Sequence, residues 1–506
     1  MRGVASTERT AVSASAPLPA TDPSSVTDLR PVAARAAAAS AVPVPTAEMF
    51  AVITEYLDAG RLDAAARMLG HVLAVAPASP DALHLQGLIA FRRGRIAEAG
   101  ALMERAIALG AVRSAHFRNL SEVYRLQARL DEALVAARRA VALDPSDPLG
   151  PFNLAMVQYD RLETEASAAA ARHSLDLRPG LPQSHMKLAQ AMLLLGRFET
   201  GWDEYEWRYQ IPGAQPLMPA SFTAQRQRPQ WDGKPLGEAR LLLIGDQGFG
   251  DVVMFARYIP WARSLCPTLV LACSAEMTQI MAGMFPDLPL VNRWDDCPDH
   301  AAFAPLSGLP RLHGTRLDSI PAAAPYLHAD PQRARLWRER LDARIAPGLR
   351  RIGIAWAGRP THNNDANRSI PLATLAPIAA LDGIALVSLQ KGPATQQIGA
   401  YAGQAPLIDL DADIQSFDDT MAIIDGLDLL ITVDTAIGHF AGAMGKPAWI
   451  MLPYAPDWRW LRDRADTPWY PSLRLFRHPA PRRWDLLVPA VAAELRRYLS
   501  GSRIDT

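Results

Sequence analysis

The chain has 506 residues, enough for two to four domains that each bury a core. Its 52 Lys+Arg are matched by 52 Asp+Glu, which argues against a dedicated nucleic-acid binder with its usual basic excess. Hydrophobic residues make up 49% of the chain, yet no uncharged apolar run approaches the ~20 residues of a membrane span.

Residues 1–46 are mostly Ala, Pro, Ser and Thr. Such a segment buries too little apolar surface to offset its ordering entropy, so a disordered tail is expected, with no signal-peptide core. From residue 47 the chain repeats. Gly60-Arg61, Gly94-Arg95, Ala128-Arg129, Leu162-Glu163 and Gly196-Arg197 fall 34 residues apart. A small residue follows each time, at Ala65, Ala99, Ala133, Ser167 and Gly201, and Pro77, Ala111, Pro145 and Pro179 mark unit ends. That is the tetratricopeptide (TPR) period, and it predicts about five helix pairs stacked as a solenoid over 47–209, with a concave binding face. The aromatic cluster Trp202, Tyr205, Trp207 and Tyr209 is expected to pack the end of the solenoid; a peptide-binding patch is the alternative.

Residues 210–238, with Pro212, Pro216, Pro219, Pro229 and Pro235, read as a linker. Strands then alternate with helices. Ala239–Ile244 reads as a strand, Val252–Leu265 as a helix, Thr268–Cys273 as a strand and Ala275–Met284 as a helix. Arg333–Arg344 reads as a joining helix. A second series follows with strands at Ile352–Trp356, Ile384–Gln390, Leu427–Val433 and Pro447–Leu452, then a Trp-rich tail and a closing helix over Asp485–Leu499. Two parallel, doubly wound Rossmann-like domains are implied, 239–335 and 336–499.

Ligands in such sheets bind outside the carboxyl ends of the strands, where three loops fall. The first, Gly245–Asp251, has the spacing G-x-x-G-x-G rather than the dinucleotide G-x-G-x-x-G. Its Gly248 and Gly250 admit a close ligand. Asp251 suits either catalysis or the positive end of a helix dipole. The second, Gly358–Ser369, is polar, and Arg359 and Arg368 have the guanidinium geometry for a diphosphate, though a solvated loop reads the same way. The third contains Asp434, Thr435, Gly438 and His439 beside Gln390 and Lys391. Thr435 stands at a helix N-cap, an anion site, and Lys391 ends a buried strand, while His439 also fits a plain buried helix position. Asp409, Asp411 and Asp413 lack the Gly and Glu of an EF-hand, so a solvated turn is preferred and no metal is expected. Cys266, Cys273 and Cys297 form no CxxC pair, which fits a reduced cytoplasmic compartment.

Four stretches in order, GDQGFGDVVMFARYIP (from Gly245), AWAGRPTHNNDANRSIP (from Ala355), SLQKG (from Ser388) and VDTAIGHFAGAMGKP (from Val433), resemble the motifs of bacterial TPR-coupled glycosyltransferases. Their catalytic half is similar to the heptosyltransferases. The resemblance implies a GT-B fold and a metal-independent, inverting transfer from a nucleotide sugar to a hydroxyl, without a cofactor. It implies that Asp251 is the general base and that Asp434, Thr435 and His439 bind the donor with Arg368 facing its diphosphate. The fused TPR array implies a protein acceptor, flagellin in some members. The turn differs in length and spacing from that of lipopolysaccharide heptosyltransferases. A glycan acceptor, or an adaptor that carries a relic transferase half, are the alternatives.

Overall fold

In a computed structural model, the structure describes residues 47–321, 324–362 and 364–501. The tail expected to be disordered lies outside them. The described chain divides into two compact units, with helical residues up to Ala191 in one and Met192 onward in the other, save Gln210–Pro212, which group with the first.

The first unit is built of helix pairs that repeat every 34 residues: Ala47–Asp58 with Leu62–Val75, Pro80–Arg92 with Ile96–Ala108, Ser114–Leu126 with Leu130–Leu143, and Leu149–Asp160 with Thr164–Leu177. Pro182–Leu194 follows at the same spacing, and Phe198–Tyr205 belongs to the second unit. These are TPR-like repeats, and one local device sets them. The residue that breaks each first helix is left-handed, with φ +70° at Gly60, +74° at Gly94, +60° at Ala128, +58° at Leu162 and +72° at Gly196. A left-handed C-terminal residue satisfies carbonyls at the helix end and turns the chain back. The small residue in each second helix is buried, which lets the two helices of a pair cross closely. Neighbouring pairs are laced together at close to the same spacing. The Asn153 Nδ2 donates to the Arg118 carbonyl at 3.1 Å, and Arg125 pairs with Asp160 at 2.6 Å.

The second unit holds two parallel sheets. The first has four strands, β1 (Leu241–Ile244), β2 (Leu269–Ala272), β3 (Leu290–Val291) and β4 (Ala302–Pro305), in the order β3-β2-β1-β4. The second has six, β5 (Arg350–Ala355), β6 (Ile384–Ser388), β7 (Leu407–Asp409), β8 (Leu429–Val433), β9 (Ala448–Leu452) and β10 (Leu473–Arg477), in the order β10-β9-β8-β5-β6-β7. Counted from β5, that reads 3-2-1-4-5-6, the order of doubly wound dinucleotide-binding sheets. β6, β8 and β9 are buried along their whole length, as a sheet covered on both faces requires. Leu487, Val491 and Leu495 of the closing helix Trp484–Leu499 join the core beneath β5, β6 and β8.

The single helix expected over Val252–Leu265 is two, Phe249–Ala256 and Ile259–Leu265. Pro260 lacks the N–H that would continue the first helix, so it opens the second. The expected Arg333–Arg344 helix runs Pro331–Asp342, with Asp330 accepting from the Arg333 N–H at 2.7 Å as its N-cap. Trp202 and Tyr205 lie in the second unit's core, edge-on to Trp458 with ring centroids 5.2 and 5.9 Å away. That favours packing over a peptide-binding patch for those two rings.

Candidate functional site

The site is built where β1, β5 and β8 end. In the six-stranded sheet, β5 and β8 are neighbours whose connections leave in opposite directions, so their ends part and open a crevice.

The turn after β1 is bolted in place. Asp246 accepts from the Ser307 N–H at 3.0 Å and from the Tyr209 hydroxyl at 2.7 Å. Because Ser307 is the second residue after β4, the bolt ties the ends of β1 and β4 together. Gln247 is left-handed at φ +67°, and Asp251 lies in the first turn of helix Phe249–Ala256. The Gly248 N–H donates to Asp251 Oδ2 at 2.9 Å. Asp251 thus caps the first turn of its helix through one of its two carboxylate oxygens.

The turn after β8 leads into helix Ala436–Ala443, with Thr435 at the N-cap. Thr435 does not cap the helix with its side chain; its Oγ1 lies 3.3 Å from Thr432 Oγ1. Asp434 is partly buried, and burial together with the charge of Asp457 pushes its carboxyl up to about 6. His439 is buried and held neutral, with its pKa lowered to about 3 by burial and by Arg459. Its Nδ1 lies 3.0 Å from the Tyr470 hydroxyl.

The two turns touch. A Cβ on Gly250 would stand 2.7 Å from His439 Cδ2 and 3.2 Å from Ala436 Cα, so only glycine permits the approach. Gly438 plays the matching part on its own sheet, where a Cβ would stand 2.8 Å from Ile450 Cδ1. At Gly250 the two turns are therefore in van der Waals contact.

The loop after β5 supplies Arg368. Its Nη1 donates to the Asp434 carbonyl at 3.0 Å, and its Nε lies 3.5 Å from Asp365. Gly358 leaves the slot it occupies, since a Cβ there would lie 2.5 Å from Nη2. Arg359 is exposed. Gln390 and Lys391 look elsewhere. Gln390 Oε1 accepts from the N–H groups of Trp356 and Ala357 at 3.0 and 2.9 Å, and its Nε2 donates to the carbonyls of Ala357 and Lys391, so it clamps β5 to β6. Lys391 pairs with Asp411 at 2.8 Å and reaches the Ile414 carbonyl at 3.2 Å. The carboxylates of Asp409 and Asp413 are engaged by the Asp411 N–H and by Arg344, respectively.

The residue that sequence reasoning missed is Arg459. Its buried guanidinium bonds Asp251 through Nη2 and Asp457 through Nη1 at 2.6 Å, and stacks 4.3 Å over Trp458. It joins the end of the first sheet to the second. The only sequence signal was a charged pair set among tryptophans in Asp457-Trp458-Arg459-Trp460. A run of charged groups results, from Asp251 through Arg459 and Asp457 to Asp434 and Arg368, in which the like charges of Asp457 and Asp434 are neighbours.

The sequence matches no family model. It is 29% identical over 404 residues to Protein FlbA of Caulobacter vibrioides, a match covering 72% of this chain and 65% of that protein, less than two thirds of its length. Solved TPR structures align to about a third of the chain. YrrB, a TPR protein with an unusual peptide-binding site, is 16% identical over 35% of this chain and 92% of its own, at a TM-score of 0.29. Pseudomonas aeruginosa PilF is 19% identical over 33% and 77%, at 0.31. TTC0263 of Thermus thermophilus is 20% identical over 33% and 91%, at 0.29. No helix among the described residues is long and apolar enough to cross a membrane.

Proposed function

We propose that the second unit is a glycosyltransferase of GT-B type and that the TPR-like repeats hold its acceptor, a protein such as flagellin. The observation that carries this reading is the contact between the turn bearing Asp251 and the turn bearing Thr435 and His439 at the ends of β1 and β8. Gly250 lets the start of one helix lie on the start of the other, and Gly438 lets the second helix lie close to β9.

In this reading a nucleotide-sugar diphosphate lies against the N–H groups that open helix Ala436–Ala443. Negative charge grows on the diphosphate as it leaves the anomeric carbon, and the helix N-terminus and Arg368 face it with fixed positive ends. Arg368 needs no reorientation, because Asp365 and the Asp434 carbonyl already hold it. Lys391 would have to leave Asp411 to take part. The acceptor hydroxyl attacks the anomeric carbon and passes its proton to Asp251. The buried, neutral His439 serves as a wall and hydrogen-bonding group rather than a cation. The repeats support the protein acceptor: stacked hairpins present an extended concave face suited to a polypeptide.

The test is co-expression of the full chain with candidate acceptors such as flagellin, followed by intact mass. Wild type should add the mass of one or more sugars, and Asp251→Asn should add none while melting as a folded protein. Full transfer by Asp251→Asn would remove Asp251 as the base.

A further inference from the structure

We propose that Arg459 is an exchange residue: without donor it holds the Asp251 carboxylate, and it passes to the diphosphate of a nucleoside-diphosphate donor, freeing Asp251 to accept the proton. This rests on the donor-site reading above and adds an order to it, donor before proton transfer.

The geometry supports each half of the exchange. Asp251 is held twice, by Arg459 on Oδ1 and by the Gly248 N–H on Oδ2 at 2.9 Å. If Arg459 leaves, the Gly248 contact still fixes the carboxylate, and Oδ1 is the oxygen released. Arg459 is likewise held on its other arm. Asp457 keeps Nη1 at 2.6 Å, and Trp458 keeps the guanidinium plane by stacking at 4.3 Å. The guanidinium is planar and moves as one body, so with Nη1 kept on Asp457 the edge open to exchange is Nη2, now on Asp251, with Nε beside it. The third nitrogen, Nε, is buried without a hydrogen-bond partner, so the resting arrangement leaves a donor unsatisfied.

The chemistry favours the swap. A guanidinium binds a diphosphate through two parallel N–H···O bonds, and the diphosphate brings more charge than one carboxylate. Arg459 is close enough to Asp434 and His439 to influence both electrostatically, so it already lies beside the turn where the diphosphate is placed. The device prevents an ionised base from standing unpaired beside the donor site before a sugar is present.

Calorimetry of the full chain with UDP, GDP, CDP, ADP and dTDP separates the cases. The variants are Asp251→Asn, Arg459→Lys and the two combined, each checked by its melting transition. Asp251→Asn relieves the competition, so it should tighten the nucleoside diphosphate that binds by about fivefold, the scale of one partly exposed ion pair. Arg459→Lys should weaken it, and the gain from Asp251→Asn should vanish in the combined variant. Unchanged or weaker binding by Asp251→Asn overturns the exchange and leaves the donor site standing. Absence of binding by wild type and Asp251→Asn to every nucleotide removes the donor site itself. If Arg459→Lys does not fold, the Asp251→Asn arm still decides.

Discussion

The helical repeats and the two-turn site solve the same problem, holding backbone in a fixed shape, by opposite means. Each repeat uses a local device, one left-handed residue at the end of the first helix and one small residue five positions on. The site uses contacts between residues far apart in the chain. Arg459 reaches Asp251 across 208 residues, and Gly250 meets His439 across nearly as many. Local devices are cheap to change one at a time, because neighbouring units carry copies. Long-range ones are not copied, so a single change should be felt in full.

The sharpest way to test that contrast is Arg459→Met. It keeps the stem over Trp458 and removes the charge between Asp251 and Asp457. Breaking a buried pair by deleting one partner costs about 3–5 kcal/mol. Asp457 retains 37% of its side-chain exposure, which lowers its share, so a loss of about 3 kcal/mol is expected for this unit. Urea unfolding followed by tryptophan fluorescence reads it. A loss under about 1 kcal/mol would put Arg459 in the same class as a surface pair.

This contrast also explains what was legible in the sequence. The repeats were readable because their period is short and every signal recurs. The strands β1, β2, β5, β6, β8 and β9 were readable as apolar runs bounded by glycine or polar turns. β3, with two residues, and β7, with three, are too short to leave a pattern. Asp434, Thr435, His439, Asp251 and Arg368 were singled out because they sit in loops after apolar strands, and the fold brings them together. What joins them was not readable. Arg459 and Asp457 come from a Trp-rich tail, Tyr209 from the stretch after helix Phe198–Tyr205 and Ser307 from the short turn after β4, and nothing local marks them as partners of Asp251 or Asp246. Gln390 and Lys391 show the reverse case. Their position at a strand end suggested a ligand, but their side chains hold the ends of β5 and β7.

A middle-sized effect concerns pH, and here the site contains its own internal contrast. Asp434 titrates at about 6 in the folded chain instead of 3.8, so folding favours the protonated form. Its stabilising contribution is complete below about pH 4 and is lost as pH rises through 6. His439 runs the other way. It titrates at about 3 instead of 6.5, so its contribution is complete above pH 6.5 and is lost as pH falls through about 3. Asp434→Asn should therefore remove the upper loss only. Relative to wild type it should gain stability between pH 4.5 and pH 7, by no more than about 3 kcal/mol at 1.36 kcal/mol per pH unit and by less because Asp434 keeps some contact with solvent. Unfolding midpoints at the two pH values measure the difference, and parallel curves for the two proteins would contradict the assignment. His84 in the repeats, also lowered to about 3 by burial, cancels because both proteins carry it.

The smallest effect belongs to the repeats and tests whether their device is as local as it looks. Gly94 and Ala128 occupy the same place in successive units, at φ +74° and +60°. A Cβ at Gly94 would meet nothing within 4 Å, so any cost of Gly94→Ala is backbone strain alone. A left-handed residue other than glycine costs about 1–2 kcal/mol. Alanine recovers about 0.4–1 kcal/mol of that by restricting the unfolded chain. The net expectation is a loss of about 0.5–1 kcal/mol for Gly94→Ala and a gain of similar or smaller size for Ala128→Gly. Circular dichroism melts of both variants and their combination measure it. Because the two sites lie one unit apart and share no side-chain partner, the double variant should fall near the sum of the singles. A large departure from that sum would mean that neighbouring units communicate through the turns and that the repeats are as long-range in their energetics as the site.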